Sequence, residues 1–440
     1  MRWTISTTYL IQQIAAEISS ATRYYDRLIQ WLPHASDRGE LLARIECPRK
    51  ECIGRDDAFP DLSSERERRS AVLLYANFNY DCDIQDLLTQ LAPRLSRTTR
   101  VLAVCLNPYL RWLFRLAHRL GLRKAEVPTT FVTRAALQNL AKLSGFEIVR
   151  ERAAAHFPFR WLGLGTLASR AISLLPGVRN LAAVDIVFLR PLAPTRERPS
   201  LSVVIPARNE LGNIEPALRR LPRIEGARLE VIFVEGHSRD GTWEEIGRVM
   251  AKYADQFDCK AFQQTGTGKA DAVRLGFERA SGELLTVLDA DLTMPPEMLP
   301  RFYEAWCRGH GEFVNGSRLV YPMEEGAMRA LNLLGNLFFA KVLSWILGAT
   351  LGDVLCGTKL VARHDYERFR RWRADFGDFD PFGDFELLFP AAVLGLGIVD
   401  VPIRYRDRRF GTTQIHRFRH GAQLLQMAWL GLRRIKLARL

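Results

Sequence analysis

A rhythm beginning at Leu201 constrains this chain more than any other feature. Three apolar runs, LSVVIPA, LEVIFVE and ELLTVLDAD, each end in charged residues, and helical stretches separate them. Strands alternating with helices in this way build a parallel sheet with helices on both faces. The expected fold class is therefore α/β. Ligands of such sheets bind beyond the carboxyl ends of the strands. Arg208/Glu210, Glu235 to Asp240, and Asp289/Asp291 all fall at such ends, which makes that edge the expected site.

The sharpest of these clusters is VLDADLTMPPE, Val287 to Glu297. Residues i and i+2 of a strand point to one side, so Asp289 and Asp291 are expected to share a face at the strand's end. Two adjacent carboxylates repel unless a cation lies between them, and a hard divalent ion such as Mg2+ or Mn2+ suits oxygen ligands. The plainer alternative is a strand end with an Asp-capped turn, Pro295-Pro296 then opening a helix. GTGK, ending at Lys269, is not a nucleotide-triphosphate loop, because no Ser or Thr follows the lysine.

At 440 residues the chain is too long for one ordinary core, and two domains are expected. The seam falls in the proline- and charge-rich PLAPTRERPS, residues 191–200, between the apolar runs AAVDIVFL and LSVVIPA. Upstream, SAVLLYANFNY, TTRVLAVCLNP, GFEIV and VDIVFLRPL read as strands, and DIQDLLTQLAPRL and TRAALQNLAKL as helices. Residues 8–32 read as one amphipathic helix. The stretch HASDRGELLARIECPRKECIGRDDAFPDLSS reads as charged and irregular, as though about half of a sheet were missing or rebuilt.

Charge and cysteines narrow the setting. Arg404 to Leu440 carries ten Lys/Arg against one acid, Asp407, so +9 of the net +13 lies in this tail. Apolar residues interleave in HGAQLLQMAWLGLRRIKL, a pattern that favours an anionic membrane surface over nucleic acid, for which no binding motif is present. Ala330 to Gly352 is apolar on most sides but carries Asn332, Asn336 and Lys341, and is read as interfacial or buried rather than spanning. The seven cysteines are scattered. CPRKEC has no second half for a zinc knuckle, and reduced thiols in the cytoplasm are expected. The first apolar run is broken by Gln12, Gln13 and Glu17, unlike a secretory signal.

The motifs SVVIPARNE, VEGHSRDGT, GKADAVRLGF, LDADLTMPP, VNGSR, DVLCGTK and RRFGTTQI, in that order, resemble family 2 glycosyltransferases of the GT-A fold. Residues 201–440 are most similar to polyprenyl-phosphate sugar synthases of the dolichol-phosphate mannosyltransferase type. The resemblance implies a metal-dependent, inverting transfer from a nucleotide sugar to a lipid phosphate at the inner face of the cell membrane. Transfer to a glycan or other hydroxyl, and non-catalytic nucleotide-sugar binding, are the alternatives. It implies Asp289 and Asp291 as metal ligands, and Pro206, Arg208, Glu210, Glu235, Lys269, Asp271 and Asp289 as the nucleotide-sugar contacts. It assigns the acceptor phosphate to Arg318, Arg329, Arg408 and Arg409, with Asp384, Arg318 and Arg409 at the chemistry, Asp353 and Lys359 lining the acceptor side, and Gly411 as a hinge. The family often has two acids where this chain has Glu235-Gly236, so the base stays open between UDP and GDP. Helix–GFEIV resembles the late part of a class I methyltransferase, so residues 1–190 are read as a partial, degenerate domain of that type, without its glycine-rich turn. Asn77 and Asn79 fall near where the methyl acceptor of that family would lie.

Overall fold

The computed structural model describes the chain except residues 1–6, 35–36, 38, 81–82, 122–126, 157–171, 173–181, 322–329, 381, 409, 411–416 and 438–440. The first sheet comprises β1 Arg27–Trp31, β2 Lys50–Ile53, β3 Ser70–Tyr75, β4 Arg100–Leu106, β5 Phe146–Ala154 and β6 Val184–Pro191, in the order β2-β1-β3-β4-β6-β5. The first four strands are parallel, and β6 runs antiparallel to β4 and β5. Helices α1 Thr7–Thr22, α2 Glu40–Arg44, α3 Ile84–Leu91, α4 Arg111–Arg119 and α5 Arg134–Leu143 accompany it. Asp83 and Thr133 cap α3 and α5 by accepting the amides of Asp86 and Ala136.

Two expectations for this half are corrected. The helix read over residues 8–32 stops at Thr22, because the β-branched and aromatic run RLIQW pairs as β1 with β2 and β3. The stretch read as irregular contains β2, so the sheet has six strands rather than half a set. β2 is a half-exposed edge strand, and its sequence KECI carries no apolar run to betray it.

The second sheet holds β7 Leu201–Ala207, β8 Leu229–Glu235, β9 Asp258–Gln263, β10 Leu284–Val287, β11 Phe313–Ser317, β12 Lys359–Ala362 and β13 Ile398–Pro402, in the order β13-β11-β12-β10-β7-β8-β9. Only β12 runs against its neighbours. Its helices are α6 Leu211–Arg219, α7 Thr242–Lys252, α8 Lys269–Arg279, α9 Leu299–Cys307, α10 Ala330–Leu347, α11 Arg363–Phe376, α12 Phe385–Val393 and α13 Arg417–Gly431. Among the described residues no helix is long and apolar enough to cross a membrane.

The two sheets share a core. One apolar cluster takes in Ile186 and Phe188 of β6, Phe313 of β11, Phe369 of α11 and Leu388 of α12. Fully buried arginines fasten this junction. Arg69 meets Glu312 at 3.0 Å and Asp365 at 2.8 Å, and Arg100 meets Glu312 from the other side. Burial alone would raise the Glu312 carboxyl, but Arg100 and Arg69 outweigh it and hold it at about 2. Arg150 donates to the Val393 carbonyl at 2.6 Å, and Arg190 to those of Gly309 and His310 at 2.9 and 2.8 Å. The expected linker at 191–200 is not a loose tether either. Leu192 and Thr195 donate their amides to the carbonyls of Gly145 and Cys307, and Tyr303 donates its hydroxyl to that of Pro199.

Candidate functional site

Side chains converge where β7, β8 and β10 end. β10 closes at Val287, whose partner across the ladder is Val204. Asp289 and Asp291 therefore lie in the turn beyond the strand, where Leu292 takes φ +54°. The expected strand alternation does not reach them, and each carboxylate finds its own cation. Asp289 Oδ1 meets Lys269 Nζ at 2.5 Å, and Asp291 Oδ2 meets Arg408 at 2.8 Å. Asp291 Oδ1 accepts the amide and hydroxyl of Thr293.

Lys269 is the first residue of α8, entered through Gly268 at φ +89°, a conformation that favours glycine. Burial works against its charge, but Asp289 and then Asp384 outweigh it and raise the ammonium's pKa. Burial likewise works to raise the Asp289 carboxyl, and Lys269, Lys359 and Arg318 bring it below the usual range. Asp271 accepts the Gly266 amide at 3.1 Å, so it fastens the loop ahead of α8.

Lys359, buried on β12, donates to Asp384 at 2.7 Å and to the Cys356 carbonyl. Asp384 precedes α12 yet makes no side-chain capping bond. Asp380 does that work, accepting the amides of Phe382, Phe385 and Glu386. Of the other acids in this run, Asp378 and Glu386 pair with Arg274. Cys356 is buried, which pushes its thiol up to about 12, as befits packing rather than nucleophilic work.

Arg318, expected to approach a phosphate, is held by Asp353. Its Nε and Nη2 fork onto that carboxylate at 2.7 and 2.8 Å, and Asn336 donates to the same acid. Arg408 bridges outward, reaching Glu210 at 3.0 Å as well as Asp291. Glu210 is buried, which raises its carboxyl despite Arg408. Arg329, Arg409 and Gly411 lie outside the described residues.

A separate open cleft of about 910 Å³ lies beside the ends of β8 and β9, lined by Arg208, Glu235, His237, Trp243, Gln263 and Gln264 among others. Arg208 is exposed there, while Glu235 is buried and accepts the Ser238 amide. Pro206 is an interior residue of β7, paired with Val234. Ser238 and Asp240 close the turn ahead of α7 and tie it to the loop after β7. Ser238 accepts the Asn209 amide, Asp240 those of Leu211 and Thr242, and Gly241 at φ +82° takes the cap position.

The sequence pattern alone gives no role to Thr293, Asp380 or Gly357. A Cβ at Gly357 would strike Asp289 Oδ2 and Lys269 Nζ, so the backbone must pass the ion pair bare. A glycine two residues before a buried lysine was the available signal.

The site thus pairs acids with lysines and arginines at the carboxyl edge of an α/β sheet, the setting of enzymes that handle phosphorylated ligands. The family profile "Glycosyl transferase family 2" matches residues 202–370. A dolichyl-phosphate hexose transferase of Haloferax volcanii is 32% identical over 227 residues, covering 51% of this chain and 90% of that protein. A dolichol-phosphate mannosyltransferase of Pyrococcus furiosus is 37% identical over 122 residues, 27% of this chain and 33% of the relative. Among solved structures, a mannosyltransferase from Pyrobaculum calidifontis in complex with GDP-Man and Mn2+ covers 55% of this chain and 67% of its own, at 20% identity and a TM-score of 0.40. The chain belongs to glycosyl transferase family 2 and is a glycosyltransferase.

Proposed function

We propose that this enzyme moves a hexose from a nucleotide sugar to a polyprenyl-phosphate lipid at a membrane surface, with inversion and with a divalent metal. The observation that carries the reading is the meeting of Lys269–Asp289, Lys359–Asp384 and Glu210–Arg408–Asp291 at one sheet edge. The similarity to dolichyl-phosphate and dolichol-phosphate transferases supports a lipid-phosphate acceptor.

Asp289 and Asp291 fit Mg2+ or Mn2+ by chemistry. Both are hard oxygen donors, and no group of three His, Cys, Asp or Glu that could hold a metal occurs among the described residues. A site of two carboxylates leaves other positions to diphosphate oxygens and water, the habit of Mg2+ with phosphorylated substrates. When bound, the ion would neutralise charge on the departing diphosphate. Lys269 stands beside the same charge. Arg208 and Glu235 in the open cleft suit the nucleoside. An acceptor phosphate oxygen then forms the new bond to the anomeric carbon as the sugar's bond to the diphosphate breaks. A phosphate acceptor is already an anion and needs placing more than deprotonating. Asp384, paired with Lys359, suits that arrangement better than proton removal from a hydroxyl. In this reading Arg408 leaves Glu210 and Asp291 for a phosphate, and the ion pairs that its half-buried guanidinium makes with both acids support that exchange.

For the membrane side, α10 and α13 leave Leu334, Leu337, Phe338, Leu425 and Trp429 exposed. That surface and the basic tail support the reading of peripheral attachment, proposed on the cytoplasmic face. For residues 1–190 the reading is a degenerate methyltransferase-like domain without methyl transfer. It rests on the parallel run of β1 to β4 and on α5 leading into β5. Asn77 donates to the Leu32 carbonyl, while Asn79 accepts the Leu106 amide and donates to the Thr130 carbonyl, so both serve as braces.

The test is sugar transfer from nucleotide sugars to a short polyprenyl phosphate with Mn2+ or Mg2+, for wild type and Asp291→Asn. Lipid-linked sugar from wild type, lost with chelator and in the variant, supports the reading. Metal-dependent turnover without lipid product moves the acceptor to a hydroxyl. Tight nucleotide-sugar binding with no turnover leaves a binding protein.

A further inference from the structure

The helix Arg111–Arg119, α4, stands out because none of its residues is buried. Tyr109 just ahead of it, Trp112, Leu113 and Leu116 within it, and Leu120 just after it are 43–64% exposed. At 3.6 residues per turn these positions fall on one face. Arg115 and Arg119 border that face on the Trp112 side, and no acid occurs from Asn107 to Gly121. The opposite side is what the protein holds: Phe114 stacks on Phe131 at 6.2 Å, and Arg111 lies 5.6 Å from the same ring. Asn107, which accepts the Tyr109 amide, fixes the approach to the helix at the end of β4.

We infer that α4 is a membrane-docking helix that lays its Trp/Leu face into an anionic bilayer while its arginines meet lipid headgroups. Charge decides for lipid over other occupants. A ridge of bulky apolar side chains bordered by arginines, with no acid in its own segment, matches an apolar layer beneath a negative surface. Arginine stems can lie along the apolar boundary while their heads reach phosphate. The family profile begins at residue 202, so this helix lies outside the matched transferase region. The inference does not depend on which acceptor the transferase uses. It gives the first half of the chain a task of its own, holding the enzyme at the surface through a second contact distinct from α10 and α13.

The test is flotation of the full chain with vesicles of phosphatidylcholine alone, or with about a third phosphatidylglycerol added. Three chains are compared: wild type, Trp112→Ser/Leu116→Ser, and Arg115→Glu/Arg119→Glu. Each is also prepared with Leu425→Ser and Trp429→Ser, to remove the C-terminal surface. Wild type is expected to prefer anionic vesicles, and both α4 variants to partition at least about tenfold more weakly in either background. Their melting temperatures and nucleotide-sugar hydrolysis in detergent-free buffer should stay at wild-type values. Equal partitioning of wild type and α4 variants on anionic vesicles overturns the inference. So does a wild-type dimer without lipid that the α4 substitutions dissolve, because the face then belongs to a second copy.

Discussion

Gly357 is the most tightly confined of the described glycines at the candidate site. A methyl group there would press on the Asp289–Lys269 pair. Gly357→Ala is expected to lower kcat/KM by about 100-fold, since small misplacements of charged groups cost that much. Melting temperature should barely move, and steady-state kinetics with calorimetry separate the two effects. Asp380 gives a pH prediction. Burial, and then Asp384, push its carboxyl up to about 6. The folded chain therefore keeps a proton that the unfolded chain has lost, so this group makes stability fall as pH rises from about 4 to about 6. Denaturant titrations across that range should show a shallower fall, or none, in Asp380→Asn; identical slopes would refute it. Two acids four apart in DPFGD gave no sign from sequence of which would cap α12 and which would face Lys359. That choice depends on where β12 puts its lysine, a long-range fact. Lys269 and the two aspartates were legible because glycine-rich and D-x-D patterns are local. The Arg318–Asp353 fork joins residues 35 apart and was not.

The segment leaving β13 acts as a strap, because Arg408 ties the turns after β7 and β10 together. Its guanidinium competes for the carboxylate that a metal would need. Arg408→Ala is therefore expected to tighten Mn2+ binding by about tenfold in the absence of nucleotide, as read by titration calorimetry. Transfer activity should fall in the same variant if the arginine moves onto phosphate during turnover. Unchanged Mn2+ affinity would show that Arg408 does not guard Asp291. Elements with long apolar runs, such as β7, β8 and β4, were readable directly. Two misses share a cause: β2 and β9 are edge strands with polar sequences, KECI and DCKAFQ, stabilised by pairing rather than by burial. β1 was lost for the opposite reason, since RLIQW follows α1 closely enough to extend its apolar pattern.

Across the whole molecule, the junction of the two sheets depends on Glu312. Among the described residues it is the carboxylate that pairs with Arg100, and it shares Arg69 with Asp365. Glu312→Gln leaves a buried guanidinium without its counter-charge, and a loss of about 3–5 kcal/mol is expected in denaturant unfolding. Because the core is continuous, calorimetry should show both halves melting in one transition. Two transitions, with only one shifted by the substitution, would mean that the halves are energetically separate. The proline-rich seam at 191–200 made two domains the natural expectation, and nothing local announced that Arg69, Arg100, Arg150 and Arg190 look for partners beyond residue 300. Those partners also set an order of events on the ribosome. The first sheet is complete once Pro191 has emerged, but the carbonyls of Val393, Leu394 and Gly395 that receive Arg150, Tyr25 and Arg100 are still unmade. At about 5–20 residues per second that interval is roughly 10–40 s. During it a nascent chain carries exposed cations on a half-finished apolar surface, which makes this stretch of synthesis the point where chaperone protection matters most.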